Sequence, residues 1–337
     1  MTVLVTGAAG FLGSHVVDLL AEGGERVRLM VRLGDRVERP PGAGIEIHQG
    51  DICDPAAVSA AVEGVDRVLH CAARTGPWGP AREYEATNVR ALEMLVRAAS
   101  AAGVQRLVHV SSITVHGNDV RGVADESAPL REEPNPYSRS KVAGERLLER
   151  MVRDEDAPVT IVRPGWIYGP RDAASFARIA RMIETGRMVV VGSGANHLPL
   201  IYVGDAARGV LLASEAAQAE GRSYLLVSDE PVTQLDFLRR IATQLGVPAP
   251  GRHIPYRLGM TLGSLAEVAG RLTRRRDPPP VTRYGLQLLG GENRFLISRA
   301  RHELGFSPQV QLAEGIRRSV EWYCGAHAAS PPLEATV

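Results

Sequence analysis

Apolar residues in the first half of the chain fall into short β-branched runs, each followed by a longer stretch with helical spacing. Thr2 to Thr6 reads as a buried strand. The turn Gly7-Ala8-Ala9-Gly10-Phe11-Leu12-Gly13 follows, then an apolar helix from Ser14 to Ala21 that Gly23-Gly24 closes. Further strands are predicted at Arg26 to Val31, Ile45 to Gln49, Arg67 to His70, Arg106 to Val110 and Val159 to Val162. Between them lie a helix capped by Asp54-Pro55 and running to Val62, a long helix from Tyr84 to Ala102, and another from Pro136 to Val152. Such alternation means parallel strands joined by right-handed crossovers. The predicted fold class is α/β, a doubly wound parallel sheet.

Beyond about residue 170 the alternation loosens. Helical stretches at Ser175 to Thr185, Val203 to Ala217 and Gln234 to Gln244 are separated by Gly and Pro segments, of which Pro248 to Pro255 and Arg274 to Pro280 read as linkers or mobile loops. A smaller, mostly helical C-terminal lobe is expected. The division drawn is 1–170 for the sheet domain, with 200–230 returning to it, 171–199 and 231–325 for the second lobe, and 326–337 for a flexible tail.

Composition narrows the function classes. The chain has 337 residues, 45% hydrophobic and 23% charged, enough apolar material for a real core. Lys plus Arg is 39 and Asp plus Glu is 38, so there is no basic excess of the kind that binds nucleic acid. Cys53, Cys71 and Cys324 show neither disulfide nor zinc spacing, and no His/Asp/Glu/Cys cluster has ligand spacing for any metal. No apolar run approaches the ~20 residues of a membrane span, and the N-terminus starts directly on a strand. A cytoplasmic protein is expected.

Gly7, Gly10 and Gly13 sit between a strand and a helix. Glycine there lets the backbone approach a pyrophosphate, and the helix start offers free N–H groups and a positive dipole end. A plain tight turn is the bland alternative; the strand before and the helix after favour a dinucleotide site, and hence a Rossmann sheet. The second strand ends at Met30-Val31-Arg32, where NAD binders usually carry an acid for the ribose 2′-OH. Arg32 is suited instead to a 2′-phosphate, with Arg28 and Arg36 nearby. NADP(H) is therefore the favoured cofactor, NAD(H) being possible if Arg32 is only a solvated loop charge.

Tyr137 and Lys141 stand four apart at a helix start, on one face. They follow Ser111-Ser112, which closes the fifth strand on the side where such sheets bind cofactors. A free tyrosine, with a pKa of ~10, is too weak an acid for work at neutral pH. An ammonium ~4 Å away at an effective dielectric of ~20 contributes about 4 kcal/mol, nearly 3 pKa units. Tyr137 is expected to exchange the proton, Lys141 to acidify it, and serine to orient the substrate oxygen.

Gly7-x-x-Gly10-x-x-Gly13, Asp51-Ile52, Cys71-Ala72-Ala73, Asn88-Val89, Ser111-Ser112-Ile113-Thr114-Val115-His116-Gly117, Tyr137-x-x-x-Lys141 and Arg163-Pro164-Gly165 occur in order. Together, over roughly residues 1 to 325, they resemble the extended short-chain dehydrogenase/reductase family, in its branch of 3β-hydroxysteroid dehydrogenase-like enzymes and NAD-dependent epimerases/dehydratases. The resemblance implies a catalytic set of Ser112, Tyr137 and Lys141, with Ser112 rather than Ser111 because it directly precedes Ile113-Thr114-Val115-His116-Gly117. It implies that Phe11 and Leu12 belong to the cofactor turn, Asp51 and Ile52 flank the adenine, Ala72 and Ala73 line the cofactor, and Pro164 approaches the nicotinamide. It also implies a homodimer built on two long helices per subunit.

Within that family, Gly192 to Val203 matches a segment that in many sugar-nucleotide members carries an Arg for the diphosphate; Leu198 stands there instead. The loop Cys71 to Gly79 and the tail around Pro279 to Tyr284 and Phe295 to Ala300 resemble the 3β-hydroxysteroid dehydrogenase-like branch. The expected function is thus an NADP(H)-dependent oxidoreductase that interconverts a secondary alcohol and a ketone on a steroid, terpenoid or long-chain β-keto substrate. The alternatives are an NDP-sugar epimerase/dehydratase with tightly bound NAD, and a non-catalytic cofactor-sensing protein. Trp78, His116, Trp166 and His197 are candidate substrate contacts. Leu258 to Leu272, with the basic run to Arg276, is read as a lid, a core helix or a lipid contact over 258–276.

Overall fold

The computed structural model describes residues 1–328 except Pro40, Ala43, Arg121 and Arg274. Of the tail expected over 326–337, the first three residues end the last helix (Leu312–Ala328), and the rest, like Arg274 of the basic run, lies outside the described residues. Seven parallel strands form the central sheet: β1 (Thr2–Thr6), β2 (Arg26–Val31), β3 (Ile45–Gln49), β4 (Arg67–His70), β5 (Arg106–Val110), β6 (Val159–Pro164) and β7 (Ser223–Leu226). Their order is β7-β6-β5-β4-β1-β2-β3. The chain winds outward from β1 in one direction and then, from β4, in the other. The strand order reverses between β1 and β4, and the crevice at their carboxyl ends is where such sheets bind ligands.

Alternate residues of each strand feed two apolar layers. Val3, Val5, Leu29 and Val108 pack with α1 (Phe11–Glu22) and later helices. Leu4, Val68, Leu107 and Val159 face the other way, among α2 (Pro55–Val62) and the helices that follow β4 and β5. Helix α1 begins at Phe11, three residues before the expected Ser14, because Gly13, the last glycine of the turn, is already helical.

The long helix expected from Tyr84 is interrupted. It runs as α3 (Ala81–Glu85), one π-turn (Ala86–Arg90) and α4 (Ala91–Ala101). The bulge sits at buried Asn88, whose amide donates to the Arg74 carbonyl at 2.9 Å and to Ser140 Oγ at 2.8 Å and accepts from the Arg74 N–H at 2.8 Å. The widened turn serves this three-way tie between the loop after β4 and α5 (Pro136–Glu155).

The C-terminal half adds α6 (Phe176–Glu184), α7 (Val203–Glu215), α8 (Gln234–Leu245), α9 (Tyr256–Leu272), α10 (Arg283–Gly290), α11 (Ser298–Leu304) and α12 (Leu312–Ala328). The last three have no counterpart in the pattern reading. Gly259 and Gly263 of α9 let α10 close in: a Cβ on Gly263 would stand 3.1 Å from Leu286 and 3.2 Å from the Arg283 nitrogen. The opposite face of α9 exposes Leu258, Leu262, Leu265 and Leu272. Among the described residues no helix is long and apolar enough to cross a membrane.

Candidate active site

A cleft of about 600 Å³ opens at the strand ends and is lined by the glycine turn, Ser111 to Thr114, Tyr137, Lys141 and Pro164. Gly7 has φ +68°, and a Cβ there would meet the Ala72 nitrogen at 2.7 Å; one on Gly13 would stand 2.1 Å from the Gly7 carbonyl oxygen. Only glycine allows the turn to fold this tightly against β4 and α1. Gly10 caps α1 without any side chain. The helix thus presents its first N–H groups and its positive end to the cleft, as a dinucleotide's pyrophosphate requires. The cradle fits such a group.

Ala73 lines the same cleft, while Ala72 backs Gly7 and donates its N–H to Thr6 Oγ1 at 3.3 Å. Arg32, Asp51 and Ile52 lie beyond it, past the ends of β2 and β3. The Arg32 side chain is 71% exposed and pairs with Asp35 at 3.2 Å. Asp51 accepts from the Cys53 N–H at 2.8 Å.

The start of α5 is set by Asn135, whose Oδ1 accepts from the Ser138 N–H at 2.8 Å, and by Pro136 in the first turn. That places Tyr137 in the first turn and Lys141 one turn on. Ser112 caps the short 3₁₀ turn Ile113–His116, its Oγ accepting from the Thr114 N–H at 3.2 Å, and stands beside the Tyr137 hydroxyl, which it pulls toward lower pKa. Ser111 turns away and donates to Glu145 Oε1 at 2.5 Å. Ser112 is thus the serine beside the phenol.

Burial, not the pairwise pull of Lys141, dominates the Tyr137 phenol. Burial pushes the phenol above the usual tyrosine range, and among the charged and polar neighbours only Ser112 pulls it down. Lys141 Nζ donates to the Val110 carbonyl at 2.7 Å. Burial also pulls its own ammonium down to about 8, against the opposing pull of Glu145. Desolvation outweighs the pair attraction here.

Several contributors are given no site role by the sequence reading. Tyr284 of α10 packs edge-on against Tyr137 with ring centres 6.3 Å apart, near Thr114. Buried Glu145 and Arg163 pair at 2.6 Å directly behind Ser111. Arg171 lines the cleft with φ +72° and reaches Asp18 of α1 at 2.7 Å. Glu145 and Arg171 follow no short motif; Arg163 and Tyr284 fall in stretches that resemble the family, but only the packing of distant elements reveals what they touch.

Of the expected substrate contacts, Trp166 lines the cleft, its indole N–H donating to Ser175 Oγ at 2.9 Å. His116 lies outside it, buried against Phe295 with Nε2 3.3 Å from Arg163, because the 3₁₀ turn aims it at the Glu145–Arg163 pair. His197 also lies outside it, held by Glu292 at 2.9 Å. Trp78 lines a separate outer cavity instead, beside the end of α9. Leu198 is buried in the core.

The sequence matches the model of the NAD dependent epimerase/dehydratase family over residues 3–226. It is 32% identical to the 2-alkyl-3-oxoalkanoate reductase of Stenotrophomonas maltophilia, over 94% of this chain and 98% of that one. It is 30% identical to the 3 beta-hydroxysteroid dehydrogenase/Delta 5-->4-isomerase of Mycobacterium tuberculosis, over 95% and 90%. Among solved structures, gox2253 superposes with a TM-score of 0.81 at 29% identity, covering 96% of this chain and 98% of that one. The UDP-glucuronic acid 4-epimerase of Bacillus cereus, in complex with NAD, shares the fold with a TM-score of 0.77 at 22% identity, covering 96% and 99%.

Proposed function

This chain belongs to the NAD-dependent epimerase/dehydratase family of extended short-chain dehydrogenases/reductases, and on that footing we propose that it is an NADP(H)-dependent oxidoreductase interconverting a secondary alcohol and a ketone on a hydrophobic substrate. Steroids, terpenoids and long-chain β-keto compounds are the candidate classes. The observation that carries this reading is the Tyr137 hydroxyl beside Ser112 in the cleft, with Lys141 one helical turn away.

A bound nicotinamide supplies or takes the hydride. The chain's own part is to handle oxygen and proton. Burial keeps Tyr137 protonated at neutral pH, the form that ketone reduction consumes. Ser112 hydrogen-bonds the same substrate oxygen. As the Tyr137 proton moves onto it, Lys141, charged below about 8, stabilises the phenolate left behind. Gly7, Gly10, Phe11, Leu12 and Gly13 hold the pyrophosphate, Asp51 and Ile52 the adenine, and Ala72, Ala73 and Pro164 the nicotinamide half. Trp166 borders the substrate, and 171–199 with 231–325 form the lobe that selects it.

Arg32, exposed at the end of β2, supports NADP(H) over NAD(H). A homodimer in the cytoplasm, joined through α4 and α5, completes the reading. Two relatives, a 2-alkyl-3-oxoalkanoate reductase and a 3 beta-hydroxysteroid dehydrogenase, support an apolar substrate by their names. Buried Leu198, uncharged where a diphosphate needs neutralising, counts against a nucleotide sugar.

The test is NADPH and NADH oxidation against a panel of apolar ketones, with UDP-sugars as controls. Reduction of apolar ketones with a preference for NADPH is expected. Turnover of UDP-sugars without added cofactor would instead establish an epimerase, and a clear preference for NADH would overturn the role of Arg32.

A further inference from the structure

Three cavities adjoin the cleft on its outer side, and Arg271, at the end of α9, lines all of them. The middle one, about 30 Å³, lies between the cleft and the outermost cavity, sharing Tyr284 with the first and Pro77 and Arg271 with the second. Beyond it lies a concave vestibule of about 670 Å³ whose walls carry Arg74, Arg82, Arg271, Arg275 and Arg276 against the single acid Glu83. Glu83 pairs with Arg74 at 2.7 Å. Among the described residues the other four have no carboxylate partner.

The wall is assembled from two distant parts of the chain. Trp78, from the loop after β4, donates its indole N–H to the Arg275 carbonyl at 3.2 Å and lies under the Arg271 guanidinium at 5.9 Å. A Cβ on Gly270 would press on the Trp78 ring at 3.1 Å. The contact fixes where the arginines stand.

Four guanidinium groups held together without counter-charge repel one another, and a bound anion relieves that repulsion. Their number exceeds what one carboxylate neutralises and suits a head group with several phosphate charges. The concave shape suits a discrete soluble head rather than a flat lipid surface. We propose that this vestibule binds the phosphate-bearing carrier of a substrate whose apolar ketone chain passes Tyr284 into the cleft, so that the enzyme acts on a thioester-linked 3-oxoacyl group rather than on the free molecule. This rests on the oxidoreductase reading above and names its substrate class.

The probe is coenzyme A, titrated by calorimetry into the full chain saturated with NADP(H), so that the dinucleotide site is closed to it. Wild type should bind it. The Arg271→Ala/Arg275→Ala variant should bind at least about tenfold more weakly, as expected for losing charge-assisted contacts, while Arg257→Ala, at the far end of α9, should bind as wild type does. In steady-state assays, a 3-oxoacyl coenzyme A thioester should show a kcat/KM at least about tenfold above that of the N-acetylcysteamine thioester of the same chain, which lacks the phosphates. Coenzyme A binding that is absent, or unmoved by the double variant, overturns the vestibule, as does equal kcat/KM for the two thioesters. Arginine-dependent binding with no NADPH oxidation on any ketone leaves the vestibule standing and overturns the oxidoreductase reading.

Discussion

Glu145 and Arg163 are 0% and 4% exposed and bond to one another at 2.6 Å behind the two serines. Replacing Glu145 with Gln strands a buried guanidinium, so chemical denaturation should show a loss of about 3–5 kcal/mol. Lys141 works in the opposite sense. Glu145, Cys71 and the stacked His70–His109 pair face it, and burial holds it at about 8, below the ordinary 10.5. Between those values the unfolded chain keeps a proton that the folded one gives up, so this group makes stability rise with pH from about 8 to 10.5. Stability–pH curves should show that rise in wild type and its absence in Lys141→Met. At this scale the legible residues were those in a motif at the start of an element: Tyr137, Lys141 and the glycines. Ser112 was separable from Ser111 only by its neighbours in sequence, and the structure gives the physical difference, one hydroxyl beside Tyr137 and the other on Glu145. Tyr284 and Arg171 reach the cleft through tertiary packing that no local spacing encodes.

Among the elements, the first five strands match their predicted bounds, because each is a short run cut off by turn residues, the inner four buried and β3, at the sheet edge, half-exposed. The long helix was legible but its π-turn was not, since Asn88 widens the helix for partners far away in sequence. Helices α10 to α12 were not read from the pattern, although Thr282 caps α10 in the usual way, its side chain accepting from the Gly285 N–H. The glycine turn is the most sensitive element. A Cβ at Gly13 would lie 2.1 Å from the Gly7 carbonyl oxygen, too close for any rotamer to relieve. Gly13→Ala should therefore lower stability by about 1–3 kcal/mol, the cost of overpacking. It should also weaken NADP(H) binding by pushing α1 away from the turn, which thermal melts and cofactor titrations would show together. Retained affinity with unchanged melting would mean that the turn does not hold the pyrophosphate.

Taken whole, the molecule sets a rigid parallel sheet against a helical cap. The sheet brings the glycine turn, Ser112, Tyr137 and Lys141 to one crevice because all four follow or adjoin the carboxyl ends of β1 and β5. That convergence was readable from chain order alone, given parallel strands and a reversal of winding. The cap was not, since α9 meets α10 through glycines and leaves its leucine face exposed, a pairing with no periodic signature. Everything proposed for this crevice depends on Tyr137 as the group that gives or takes the proton. The most direct measurement is single-turnover oxidation of NADPH with a ketone found active on wild type, comparing wild type with Tyr137→Phe. The account predicts a fall of about 10²–10⁴ in rate, the usual worth of a general acid, with NADPH affinity unchanged. A Phe variant that oxidises NADPH at the wild-type rate would contradict it.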